Sequence, residues 1–107
     1  MKVQTPQRWR WIKTGRRDGG SQMAIDQALL ELSGRSGMPV ARLYAWEPYC
    51  ISLGYHQSPD SIDHEACRRR NVDLVRRPTG GRAVFHAEEV TYAVIIPKES
   101  GYYRDNI

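Results

Sequence analysis

Cysteine is scarce in this sequence: only Cys50 and Cys67 among 107 residues. Their spacing fits neither a metal-ligand nor a redox motif, so no thiolate metal site or disulfide framework is written here. Two thiols in a chain whose start, Met1-Lys2-Val3-Gln4-Thr5-Pro6, lacks the apolar core of a signal peptide point to a reducing compartment. No apolar run approaches the ~20 residues that a membrane-spanning helix needs. The expected setting is therefore cytoplasmic, with no membrane partner. Acidic charge is also in deficit, 12 acidic against 16 basic side chains for a net +4, and part of the excess is local, in Arg68-Arg69-Arg70 and Arg76-Arg77. That balance suits an acidic protein or a phosphate-bearing ligand as readily as nucleic acid. Neither an internal repeat nor a low-complexity tract divides the chain, and its length allows one small domain.

Arg8 to Ile12 alternates long polar and aromatic side chains, which predicts a strand with Trp9 and Trp11 on a buried face. Interleaved Arg and Trp can also stack on bases, but the alternation favours a half-buried strand. Residues 15–20 read as a loop. Ser21 is a good N-cap for a helix to about Ser33, with Gly34 placed to end it. Ile25, Ala28, Leu29 and Leu32 fall at i, i+3, i+4 and i+7, which predicts a stripe facing the core. Asp26 lies beside that stripe, suited to bonding a neighbouring loop and not to catalysis. Ala41–Trp46 and Cys50–Tyr55 read as two strands joined around Glu47-Pro48, an expected antiparallel hairpin. Tyr55, His56 and Gln57 follow at a strand end, a common place for binding loops. Pro59 with Asp60 or Ser61 starts a second predicted helix to about Asn71, Ile62 and Ala66 inward. Arg68, Arg69 and Arg70 then fall in its last turn, where positive charge complements free carbonyls. Residues 97–107 are polar and predict no core element.

The stretch 74–96, LVRRPTGGRAVFHAEEVTYAVII, carries the clearest chemical signal. Leu74 to Arg77 reads as a short strand, and Pro78, which has no backbone donor, ends its pairing. Gly80-Gly81 allows positive φ at two successive positions and a close main-chain approach to a ligand. Ala83 to His86 is extended, and the run from Val90 to Ile96 predicts a strand covered on both faces. A basic glycine turn between two strands makes a floor for an anionic or carbonyl-bearing ligand. Spacing alone favours a plain hairpin turn with solvated arginines over a ligand loop.

The pattern Arg76-Arg77-x-Thr79-Gly80-Gly81-Arg82-Ala83-Val84-x-His86, followed by Glu89-x-Thr91-Tyr92, closely resembles the signature of the lipoate-protein ligase and octanoyltransferase family. Upstream, Met23-Ala24-Ile25-Asp26-x-Ala28-Leu29-Leu30, Pro39-x-x-Arg42-Leu43-Tyr44-x-Trp46-x-Pro48 and Ser52-Leu53-Gly54-Tyr55-x-Gln57 follow in that family's order. The resemblance covers residues 9–97. It implies an α+β fold with a mixed, largely antiparallel sheet packed with helices, the cofactor-transferase fold related to biotin ligases and class II aminoacyl-tRNA synthetases. The biotin ligases' own Gly-Arg-Gly-Arg-x-Gly loop is not present. Family members usually have more than about twice this length, so residues 1–107 are expected to be the amino-terminal portion of one catalytic domain.

The resemblance also implies ligand contacts at Arg77, Thr79, Gly80, Gly81, Arg82, Ala83, Val84, Phe85 and His86. Arg77 would meet a phosphate bidentately, the amides of Gly81 to Ala83 a carbonyl or phosphate oxygen, and Val84 and Phe85 an aliphatic tail. His86 would orient the loop or the incoming lysine. The substrate would be a lipoate or octanoyl group, with ATP and magnesium only in a ligase. The acceptor would be a lysine of a lipoyl domain, such as glycine cleavage H protein or a 2-oxo acid dehydrogenase subunit, with acyl carrier protein as possible donor and no nucleic acid. The catalytic lysine or cysteine of the family falls downstream of these positions, so neither Cys50 nor Cys67 is assigned as a nucleophile. Ligases usually carry a third glycine where Arg82 stands and Asp-x-Gly-Asn where Ala87 to Val90 stand, so the sequence leans to an octanoyltransferase. Ala87 departs from the Asp common to both groups, which leaves the local hydrogen bonding open. A non-catalytic acyl- or adenylate-binding homologue, or a partner subunit, is the second class of reading.

Overall fold

A computed structural model of the chain describes residues 8–98. Strand β1 (Arg10–Arg17) leads into helix α1 (Gly19–Ser36) and strands β2 (Val40–Trp46) and β3 (Cys50–Leu53). A 3-10 turn at Pro59–Ser61 precedes helix α2 (His64–Arg69), then strands β4 (Asp73–Arg76), β5 (Val84–His86) and β6 (Thr91–Ile95). Among the described residues the strands form two three-stranded sheets, ordered β1-β2-β6 and β4-β3-β5. Each is mixed: β1 runs parallel to β2 and β3 to β4, while β6 and β5 are antiparallel to their central strands. The expected α+β class with mixed sheets is what the chain adopts.

The hairpin expected across Glu47-Pro48 does not form, because the chain crosses there from the first sheet to the second. Parallel neighbours need a crossover connection, and α1 and α2 supply one for each sheet. The burial of β2 carried the signal: Val40, Ala41, Arg42, Tyr44 and Trp46 are all buried, as suits a central strand and not a hairpin arm with one face in water.

Helix α1 begins earlier than Ser21 suggests. Asp18 is the N-cap, its carboxylate accepting from Ser21 N at 3.2 Å and from Ser21 Oγ at 2.6 Å. Those bonds hold the Asp18 carboxyl below the ordinary range. The helix ends at Gly37, not Gly34, where φ of 72° lets the glycine N–H reach Ser33 O. Its start is pressed onto the second sheet. A Cβ at Gly19 would lie 2.7 Å from Cys50 Sγ, and Gly19 N donates to Asp73 Oδ2 at 2.8 Å.

The fully buried stripe of α1 is polar, and of the expected Ile25, Ala28, Leu29 and Leu32 stripe only Ile25 and Leu29 are even half-buried. Gln22 and Asp26 are buried against β2, whereas Ala28 and Leu32 are exposed, Leu32 at 57%. The cause is Arg42 on β2, fully buried opposite the helix. Its guanidinium donates to Asp26 Oδ1 at 2.5 Å, to Gln22 O at 3.1 Å, to Gln22 Oε1 and to Thr14 Oγ1 at 2.9 Å. It also stacks 3.7 Å over the Tyr44 ring. Gln22 passes the network on to Gly15 O and Ala45 O. Among the described residues no buried side-chain polar atom lacks a partner, the condition under which a buried cation is tolerated. Asp26 thus bonds a strand, not the expected loop. Burial pushes its carboxyl above the ordinary value while Arg42 pulls it back.

The same demand sets the parity of β1. Thr14 must face Arg42, so Ile12 and Thr14 point inward and Trp11 stands 73% exposed, contrary to the expected buried face for both tryptophans; Trp9 is half-buried. The second helix is shorter than expected, with Asp63 as its own N-cap accepting from Ala66 N at 3.0 Å. Ile62 and Ala66 are half-buried and Cys67 is buried. Strand β6 turns Ala93 and Ile95 inward but leaves Tyr92 and Val94 exposed, so the expected cover on both faces is absent among the described residues. The polar segment expected over 97–107 lies outside the described residues beyond Lys98. No helix of the described residues is long and apolar enough to cross a membrane.

Candidate functional site

The glycine loop is held by backbone approach. Arg77 N donates to Leu53 O and Tyr55 N to Thr79 O, each at 2.8 Å, so the loop lies along the end of β3. A Cβ on Gly54 would fall 1.8 Å from Gly81 O, a separation only glycine permits. Positive φ occurs at Gly81, at 99°, and not at Gly80, so one left-handed position makes the turn where two were expected.

Two arginines brace it. Arg76 Nη1 donates to Gly54 O at 2.9 Å, Tyr55 O at 3.0 Å and Gln57 O at 2.7 Å. Arg77, expected to grip a phosphate, spends its guanidinium on the protein. Nη1 donates to Ser52 O at 2.7 Å and Ser52 Oγ at 2.9 Å, while Nη2 donates to Gly80 O at 2.8 Å and Arg82 O at 3.0 Å.

Behind this clamp, His86 is buried and stacked on Trp46 with ring centroids 4.2 Å apart. Its Nε2 lies 2.8 Å from Ser52 Oγ and its Nδ1 3.0 Å from Glu89 Oε2. Thr91 Oγ1 donates to the same Glu89 oxygen at 2.6 Å and accepts from Trp46 Nε1 at 2.8 Å. Burial alone would raise the Glu89 carboxyl, but the bonds from Thr91 and His86 outweigh it and hold the group below its ordinary value. Ser52 is fully buried, so this Ser-His-Glu series offers no exposed nucleophile.

In front of the clamp, a cleft of about 370 Å³ opens between α1, β2, β6 and the loop. Arg77, Pro78, Thr79 and His86 line one side; Met23, Leu30, Ala93 and Ile95 give apolar wall, and Asp26, Tyr44, Trp46 and Thr91 the rest of the polar and aromatic lining. Of the nine residues expected to meet a ligand, Arg77, Thr79 and His86 reach this cleft. Gly80 and Arg82 offer their carbonyls to Arg77, and Gly81 packs against Gly54. Ala83 and Val84 stand outside it, as does Phe85, which meets Tyr49 edge-on at 5.9 Å. Met23, Asp26, Tyr44, Trp46 and Thr91 were not named as site residues. Their signal was membership of the same motifs, since every quoted motif but Ser52-Leu53-Gly54-Tyr55-x-Gln57 contributes a residue to this one cleft. His56, exposed, meets Tyr55 in an edge-on ring contact, and Gln57 Oε1 accepts from Gly54 N at 3.1 Å. Cys50 is fully buried, and burial, with Asp73 next, pushes its thiol up to about 12. Among the described residues no group of three or more His, Cys, Asp or Glu is placed to hold a metal.

Comparison with known proteins bears on this arrangement. Residues 18–107 match the family model of the lipoyl protein ligase A/B catalytic domain. The octanoyltransferase LipM of Moorella thermoacetica is 52% identical over 90 residues, covering 81% of this chain and 33% of that protein. Octanoyltransferase LipM of Bacillus subtilis is 43% identical over 93 residues, covering 85% and 34%. The chain thus spans about a third of the length of the curated relatives it matches. Among solved structures, lipoate-protein ligase A bound with ATP superposes with a TM-score of 0.65 at 26% identity, over 84% of this chain and 36% of that one. Plasmodium falciparum LipL1 in complex with lipoate shares the fold, with a TM-score of 0.70 at 18% identity over 80% and 30%. With the family model spanning the helix, the clamp and the cleft alike, the chain belongs to the lipoyl protein ligase A/B catalytic domain family.

Proposed function

We propose that this chain carries an acyl-binding part of a protein octanoyltransferase, which moves an octanoyl group from acyl carrier protein to a lysine of a lipoyl domain. The observation that carries the reading is the identity of 43–52% to LipM octanoyltransferases across some 90 residues that include the whole glycine loop. Arg82 in place of a third glycine supports the same choice. The cleft suits the substrate class: apolar wall along α1 and β6 for an alkyl tail, and polar lining at Thr79 and His86 for its carboxyl-derived end. Within the glycine loop it is Thr79 that reaches this end of the cleft. Arg77 would act by fixing that loop. Cys50, buried and with its thiol pushed up to about 12, is not the group that would accept the acyl chain.

Two readings stand beside it. The likeness to an ATP-bound lipoate-protein ligase favours adenylation of lipoate as the alternative reaction, with ATP and magnesium as its requirements. The likeness to a protein described as part of a bi-partite lipoate protein ligase system of Thermoplasma acidophilum, at 25% identity, favours an acyl- or adenylate-binding piece that works with a partner. Incubating the native gene product with octanoyl-acyl carrier protein and an apo lipoyl domain, without ATP, separates the three by intact mass. Octanoylated lysine is the expected result. Modification only with free lipoate and ATP supports the ligase, and binding without transfer in either mixture supports the non-catalytic piece; both results overturn the octanoyltransferase.

A further inference from the structure

We infer that Ser52, Glu89 and Thr91 are positioning residues for the glycine loop, joined by one directed series of hydrogen bonds in which His86 is the neutral tautomer protonated at Nδ1. The direction follows from the two ends, each of which can only donate. The Trp46 indole N–H donates to Thr91 Oγ1, so the Thr91 proton is free to go to Glu89 Oε2. A carboxylate only accepts, so His86 Nδ1 is the donor across its 3.0 Å contact with the same oxygen. At the far end the Arg77 guanidinium donates to Ser52 Oγ. The Ser52 hydroxyl has one proton to place, and among the described residues the acceptor within reach is Nε2 of His86, 2.8 Å away, which receives it when unprotonated. Trp46 holds the imidazole plane from one side, stacked within 16° of parallel.

The consequence reaches the cleft through Arg77. Nη1, seated on Ser52, and Nη2, seated on Gly80 O and Arg82 O, belong to one rigid planar fork, so fixing the first pair aims the second. Ser52 is 34 residues from His86 and fully buried, which suits an internal strut. Glu89 and Thr91 set the tautomer, the tautomer orients the Ser52 hydroxyl, and the hydroxyl leaves its oxygen turned to Arg77.

The effect on turnover rests on the acyl-transfer reading above, but the tautomer does not, so the test has two parts. Long-range proton–nitrogen NMR of the native protein, with His86 assigned through its contacts to the Trp46 indole, should show Nδ1 protonated and Nε2 bare at neutral pH. A protonated Nε2, alone or with Nδ1, overturns the inference whatever the protein catalyses. In the second part, Ser52→Ala should raise KM for the acyl donor roughly tenfold, the size of one lost charge-assisted bond, while KM for the lipoyl domain stays unchanged. Equal changes in both KM values, or none, overturn it. Should Ser52→Ala not fold, Thr91→Val serves for the same two constants. A native protein that transfers no acyl group sinks the functional reading and leaves the NMR result to decide the tautomer.

Discussion

Glu89 is one residue whose neighbours in space convert directly into a pH dependence. Its carboxylate receives Thr91 and His86, and its folded value lies below the ordinary 4.5 because those bonds outweigh burial. A carboxyl depressed on folding contributes stability that is fully present above its unfolded value and lost as pH falls through the folded one. Denaturant midpoints should therefore decline as pH drops below about 4.5, and Glu89→Gln should flatten that decline. With a third of its side-chain surface in water, its share is modest. An equal acid slope in both proteins would remove this account. The sequence held Glu89 and Thr91 in one motif, yet their link to Trp46 and, through His86, to Ser52 depends on strand pairing that no local pattern reveals. Gly54 is similar. Its place in Ser52-Leu53-Gly54-Tyr55 was plain, but the reason for glycine there, Gly81 O against its α-carbon, lies across a sheet edge.

At the level of elements, the two periodicities were readable to different degrees. The strands around the glycine loop were located to within a residue or two, because Pro78 and the glycines punctuate them. Helix α1 was also found, but the face it buries was misjudged, since a stripe of Ile, Ala and Leu is the usual core signature and here Arg42 draws Gln22 and Asp26 inward. A fully buried arginine, placed mid-strand among apolar neighbours, gives no period of its own. The two faces make opposite predictions for mutation. Asp26→Ala leaves the Arg42 guanidinium without its anion and should cost ~3–5 kcal/mol, as broken buried pairs do. Leu32→Gln, on the face that the apolar spacing favoured, should change stability by less than about 0.5 kcal/mol. Urea denaturation of the two variants measures both, and a costlier Leu32→Gln would restore the apolar stripe.

Across the whole molecule, apolar surface gathers on one flank. Tyr92 in β6 and Val90 just before it are each 73% exposed, Val94 in β6 and Ile96 just after it are exposed too, and Leu30 of α1 is exposed beside the cleft that Tyr92 and Val94 border. Strand β6 closes its sheet by pairing β2 alone, so its other backbone edge carries no ladder partner among the described residues. An open edge beside a row of β-branched and aromatic side chains is the surface that strands of other chains pair with, and soluble domains ordinarily cover or charge such edges. A polypeptide of these 107 residues, prepared by itself, should therefore associate as its concentration rises and should enhance the fluorescence of a hydrophobic dye. Replacing Tyr92 and Val94 together by lysine puts two charges on the exposed face while leaving Ala93 and Ile95 to pack inward. Sedimentation velocity should then show a monomer at concentrations where the parent associates. Unchanged association in the double variant would move the sticky surface elsewhere, with Trp11 on the opposite edge strand as the next residue to replace.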